Sequence, residues 1–127
     1  MKGSITLTTT VLASAILLAA GITLVLTGID LGHTSETFQS NSLAQLRSRT
    51  CLEEGLYRVR QDTSFTGEVS HIYNDGSCTV DIQDHLSVVN VKVLDLTSIV
   101  DEFTFIDTKY VDISVEPYDI SSNDPQQ

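Results

Sequence analysis

Every residue from Gly3 to Ile29 is uncharged, and the only charge before Asp30 is Lys2. A helix needs about 20 mostly apolar residues to cross a bilayer, so this segment is long enough to span one. Three fates stay open for it: a cleaved secretory signal, a permanent signal anchor, or a hydrophobic stem that later leaves the membrane. A secretory signal has an apolar core of about 7–15 residues before a small-residue cleavage site. Ala19-Ala20-Gly21 supplies such a site, but the apolar run continues through Ile22, Leu24, Val25 and Leu26. The scattered Thr, Ser, Ala and Gly residues are those that let helices approach closely within lipid, and they are also ordinary membrane-helix composition. Lys2, the sole flanking cation, places the N-terminus in the cytoplasm and the remainder outside by the positive-inside rule.

Charge divides the chain. Met1 to Gln61 holds 4 acids and 5 bases, whereas Asp62 to Gln127 holds 13 acids and only Lys92 and Lys109 as bases. Neutralising phosphates requires clustered Lys and Arg, so nucleic acid is not an expected partner. The roughly 65 residues after the helical part are near the lower limit for a self-supporting core, which leaves little room for an active-site cleft. No phosphate loop, GxSxG or dinucleotide fingerprint occurs, and no carboxylate pair sits in an apolar setting that would tune it for acid/base work. The chain is therefore read as a non-enzyme that needs no cofactor.

Asp30 to Gln61 lacks proline and keeps a helical pattern. Ala44, Ser48, Cys51, Leu52, Gly55, Leu56 and Val59 fall on one face at a 3.6-residue period, with Arg47, Glu54 and Arg58 elsewhere. Glu54 and Arg58 are an i,i+4 pair with the acid first, worth a few tenths of a kcal/mol. Gly28 and Gly32 mark a weak point in this helix, which spans roughly 85 Å from Ile5 to Gln61 at 1.5 Å per residue.

Beyond Gly67 the period becomes two. Strands are expected at Val69–Tyr73, Cys78–Ile82, Val89–Leu94, Phe103–Ile106 and Val111–Glu116, the last ended by Pro117. In the third, Val89, Val91 and Val93 alternate with Asn90, Lys92 and Leu94. Asn74-Asp75-Gly76 predicts a hairpin, with Asp-Gly supplying the positive φ of a primed turn. One apolar sheet face needs a cover, and the stripe on the distal helix provides it. The expected fold is α+β: a long N-terminal membrane-spanning helix packed distally against a four- to five-stranded antiparallel sheet.

Cys51 lies on the helix stripe and Cys78 on the inward face of a strand. A bridge between them would close a loop of about 27 residues, worth about 3 kcal/mol in the chain-entropy model; two buried free thiols are the alternative. His33, His71 and His85 have no ligand spacing, so no metal is expected. Asn74, Asp75, Asp81 and Asp84 lack the EF-hand spacing and read as solvated turn and strand residues. Arg47, Arg49, Arg58 and Arg60 read as a solvated helix face or as a groove for an acidic partner.

With a short basic leader ending in Gly3, an apolar segment opening Ser4-Ile5-Thr6-Leu7, a helix continuing to Cys51-Leu-Glu-Glu-Gly-Leu-Tyr-Arg58 and a strand-rich C-terminal part, the chain resembles type IV pilin-like proteins, the superfamily of pilins, minor pilins and pseudopilins. The resemblance implies a leader at 1–3, a filament-core helix at 4–29, an amphipathic continuation at 30–61, a β domain at 62–120 and a polar tail at 121–127. It implies cleavage by a prepilin peptidase after Gly3, which makes Ser4 the mature terminus. Ile5, Leu7, Val11, Leu12, Ile16, Leu17 and Leu24 would then pack against the helices of other pilin-like subunits. The family usually has Phe where this chain has Ser4, and a Glu where it has Thr8; that Glu pairs with a neighbour's terminal amine. Some tip subunits lack it, so a minor or tip pilin is the expected role rather than a major one. The implied location is a single-pass inner membrane protein with its C-terminal domain outside, and a cell-surface filament after assembly. The competing expectation is a membrane-anchored extracytoplasmic binding module.

Overall fold

The computed structural model describes Lys2 to Gln127. The chain forms two units, one of the residues up to Thr37 and one from Phe38 to Gln127. A single helix, α1 (Lys2–Gln61), supplies the described residues of the first unit and the N-terminal part of the second. Helical hydrogen bonding continues without a break through Gly28 and Gly32, the expected weak point.

In the second unit α1 buries Ala44, Ser48, Cys51, Gly55, Leu56 and Val59. This is the stripe expected from the 3.6-residue period, except that Leu52 is only half-buried at its margin. The helix ends where Asp62 folds its carboxylate back: Oδ1 accepts from the Ser64 backbone N–H (3.0 Å) and from the Ser64 hydroxyl (2.6 Å), an Asx turn that competes with further helix. Arg58 and Arg60 lie in the last turn, where a cation complements the helix dipole.

The sheet has five antiparallel strands, β1 (Gly67–Tyr73), β2 (Gly76–Asp84), β3 (Val91–Val100), β4 (Phe103–Asp112) and β5 (Asp119–Ser121), in that spatial order. The fold is thus the expected α+β arrangement. One core joins Cys51, Leu56 and Val59 of α1 to Val80 and Ile82 of β2, Leu94 and Leu96 of β3 and Val111 of β4. Each aliphatic side chain buried this completely contributes about 1.5–3 kcal/mol. Gly55 allows the close approach, since a Cβ there would lie 3.2 Å from Val80 Cγ1 and 3.3 Å from Ile82 Cδ1.

The strand boundaries correct the sequence reading in three places. The third strand begins at Val91, and Val89 sits exposed in the preceding loop. The fully buried set of that strand includes Lys92, Leu94, Leu96, Ser98 and Val100, so the inward phase passes through the leucines and Val93 is only half-buried. The fourth strand runs unbroken from Phe103 to Asp112, where two separate strands were expected. Ile113 to Glu116 is irregular, and the last strand follows Pro117 instead of ending at it.

The first hairpin forms where expected, with Tyr73 paired to Gly76, and of the Asp-Gly pair only Gly76 takes a positive φ, 159°. Asn74 and Asp75 keep negative φ. Gly76 is required because a Cβ at this residue would lie 1.9 Å from the Ile99 carbonyl oxygen. Both its own backbone conformation, φ 159°, and the neighbouring strand exclude a side chain there.

Candidate functional site

The first unit presents apolar side chains on all sides. Ile5, Leu7, Val11, Leu12, Ile16, Leu17 and Leu24 are each 60–73% exposed, and at 100° per residue they are distributed around the whole helix circumference. A helix apolar all round requires apolar surroundings on every side. Within Lys2–Gln61 lies a segment long and apolar enough to cross a membrane.

Its hydroxyls from Thr6 to Thr27 are already satisfied. The hydroxyls of Thr6, Thr8, Thr9, Thr10, Ser14, Thr23 and Thr27 each donate to the backbone carbonyl four residues earlier, at 2.8–3.0 Å. An unpaired hydroxyl in hydrocarbon costs several kcal/mol; back-bonding removes that cost and leaves only methyl and methylene groups facing outward. The sequence supplied the threonines, but their acceptors were legible only through the i−4 geometry of an actual helix. Gly3 and Ser4 lie in the first helical turns, with open space around Gly3.

In the second unit Cys51 and Cys78 form a disulfide, with 6.2 Å between their Cα atoms and 27 residues of separation. Both are fully buried. The bridge ties α1 to β2 in the middle of the core.

The arginines do not form one groove. Arg47 stacks 4.1 Å from the centroid of the Tyr73 ring and brings Nη1 to 2.7 Å from Asp75 Oδ1, an ion pair. The Arg47 guanidinium holds the Asp75 carboxyl below its usual value. Arg58 pairs with Glu54 at 3.2 Å, as the i,i+4 spacing predicted. Arg60 lies 5.8 Å from the Tyr118 ring centroid. Of the residues that lack the EF-hand spacing, Asp75 is engaged by Arg47, Asp84 by Lys92 and Asp81 by Gln83.

At the end of the sheet where α1 terminates, a loop from His85 to Asn90 is fixed from within. His85 Nδ1 accepts from the backbone N–H groups of Ser87 (3.1 Å) and Val88 (3.0 Å), so the neutral ring carries its proton on Nε2, which faces Asp124 Oδ1 at 3.3 Å. The ring also packs 6.0 Å from Tyr110. Asn90 closes the loop with φ 62°, a left-handed conformation that Asn tolerates better than most residues. This ordered loop leaves Leu86 and Val89 fully or largely exposed. A groove of about 410 Å³ beside it is lined by Val88, Tyr110, Asp112, Asp119 and Asp124. The His85 clamp escapes any local pattern, because its contact with Asp124 spans 39 residues.

Among the described residues, no three His, Cys, Asp or Glu side chains are gathered as a metal site. Comparison with known proteins found no matching family, no similar curated protein and no similar solved structure.

Proposed function

We propose that this chain is a structural subunit of a type IV pilus-like filament, inserted through its N-terminal helix and assembled by the packing of such helices, in a minor or tip position. The observation that carries the reading is the helix at 4–29: apolar on every side, with every hydroxyl from Thr6 to Thr27 bonded to its own backbone. Such a surface serves equally well against lipid and against other helices, as a stem that exchanges one for the other requires. The resemblance of Gly3, Ser4 and the following residues to pilin-like termini supports processing by a prepilin peptidase before assembly. The acidic second half supports a soluble outer coat.

Replacing residues 4–29 with an unrelated apolar span of equal length tests this. A filament subunit stays in the membrane and disappears from sheared surface material. If the exchanged chain still reaches that material, the helix carries no assembly information and the reading is wrong.

A membrane-anchored binding module is the second reading, favoured by Leu86 and Val89 displayed on the loop that His85 holds in place. In that case the same exchange leaves function intact.

A further inference from the structure

The sheet of the second unit is open at both sides. β5 pairs only with Tyr110 to Asp112 of β4, so Phe103 to Lys109 has no strand beyond it. On the other side β1 pairs only with β2. Each free edge is seven residues long. Edge strands of this length are usually shortened, bulged or guarded by charged residues or Pro; β1, with the sequence Gly-Glu-Val-Ser-His-Ile-Tyr, has one charge, Glu68, and no Lys or Pro, and residues 103–109 of β4 carry Asp107 and Lys109, which pair with each other.

The phase of the two edges is fixed by their hairpins. Both have two-residue connections, 74–75 and 101–102, closed by turns from Tyr73 to Gly76 and from Val100 to Phe103. Those residues therefore form hydrogen-bonded pairs, and the ladder alternates from them. On β1 the outward N–H and C=O groups belong to Glu68, Ser70 and Ile72; on β4 they belong to Thr104, Ile106 and Thr108. The same phase puts Tyr110 and Asp112 outward, which is where β5 bonds. The Thr108 N–H is indeed turned away from β3, to Asp107 Oδ1 at 3.0 Å.

We propose that the sheet unit joins a second copy of this chain edge to edge, with β1 of one copy lying antiparallel against residues 103–109 of β4 of the next. Because β1 runs opposite to β4 within the sheet, a translated copy continues the antiparallel order. Pairing Gly67 with Lys109 and Tyr73 with Phe103 uses both edges over their full length. It sets Ser70 against Ile106, Glu68 against Thr108 and Ile72 against Thr104, every one a match of outward-pointing residues. Ile72, 87% exposed, and Ile106, 71% exposed, lie on the same face and become diagonal neighbours, which covers both. On the opposite face Tyr73 meets Phe103, and His71 meets Phe105, as cross-strand ring pairs. The Thr108 N–H exchanges its Asp107 bond for one to the neighbouring strand.

Cross-linking in the full chain tests this, independently of the filament reading. Hydrogen-bonded antiparallel pairs have Cα atoms about 5.5 Å apart, within reach of a disulfide. A chain carrying both Ser70→Cys and Ile106→Cys should give a ladder of multimers in native membranes under mild oxidant. Either substitution alone should give none, and a mixture of the two single variants should stop at dimers. Absence of multimers from the double variant overturns the proposal, as do dimers from Ser70→Cys alone, which would mean that β1 pairs with itself. In a second chain carrying Glu68→Cys and Thr108→Cys, adding Ser70→Pro removes an outward N–H without touching the β1–β2 ladder. The multimer ladder should disappear while the thermal midpoint stays within a few degrees; a ladder that persists contradicts edge pairing. A ladder in membranes from a chain that never reaches the surface would refute the filament and leave this pairing standing. Surface filaments without a ladder would do the reverse.

Discussion

Lys92 and Asp84 face each other across β2 and β3, with Nζ 2.5 Å from Oδ1; the lysine side chain is 2% exposed and the aspartate 71%. Nζ also donates to the Phe65 carbonyl at 3.3 Å. A single ammonium thereby ties the strand pair to the segment that follows α1. The burden is unequal, because the cation has lost its water and the carboxylate has not. Replacing Asp84 with Ala leaves a buried charge with one acceptor and should lower stability by about 2 kcal/mol. Replacing Lys92 with Met removes the buried charge itself and should cost less than about 1 kcal/mol. Denaturant titration of the two variants in detergent checks the order.

The bridge between Cys51 and Cys78 closes a 27-residue loop, for which the chain-entropy model gives about 3 kcal/mol. Reduction, or paired Cys→Ala replacement, should reduce unfolding free energy by about that amount while the helix content of the first unit stays unchanged. Circular dichroism at several denaturant concentrations reads both.

Two glycines meet neighbours of different kinds. At Gly76 a Cβ meets the backbone oxygen of Ile99, which cannot yield, so Gly76→Ala should cost at least about 2 kcal/mol. At Gly55 a Cβ meets the ends of Val80 and Ile82, which can shift by a few tenths of an ångström. The gain of about 1 kcal/mol in helix propensity from Ala then offsets the crowding, and Gly55→Ala should lie within about 1 kcal/mol of the parent. Thermal unfolding of both variants checks the contrast.

The Asp75 carboxyl is held below its usual 3.8 first by the Arg47 guanidinium beside it. A carboxyl depressed in the folded state stabilises fully above its unfolded value, and that stabilisation is lost as pH falls through the lower folded value. Asp62 and Asp112 are depressed as well, first by the hydroxyls of Ser64 and Ser114, so the three act together. Stability should be flat above about pH 5 and fall steadily below pH 4. Asp75→Asn should shallow that acid limb, and unfolding measured from pH 2 to 6 shows whether it does.

The periodic signals carried far. The helix stripe from Ala44 to Val59, the i,i+4 pair of Glu54 and Arg58, the hairpin at residues 74 and 75 and the Cys51–Cys78 bridge were all legible, because each depends on spacing within one or two elements. The inward phase of β3 was not. Val89, Val91 and Val93 alternate as cleanly as Leu94, Leu96 and Val100, and hydrophobicity alone favours the set without Lys92. Only the acceptors supplied by Asp84 and Phe65 make the lysine's burial tolerable, and those come from other elements. The joining of residues 103–112 into one strand was hidden for a similar reason. Asp107 and Lys109 interrupt the apolar alternation, yet they bond each other at 3.0 Å on that strand. The His85 clamp depends on Asp124, far along the chain, and no local pattern announces it.

Intact mass and N-terminal sequence of the chain, recovered from native membranes and from sheared surface material, test the filament reading most directly. A filament subunit should begin at Ser4 and be present in the sheared fraction. A chain that retains Lys2 and Gly3 and is confined to the membrane would contradict it and leave a tethered domain in its place.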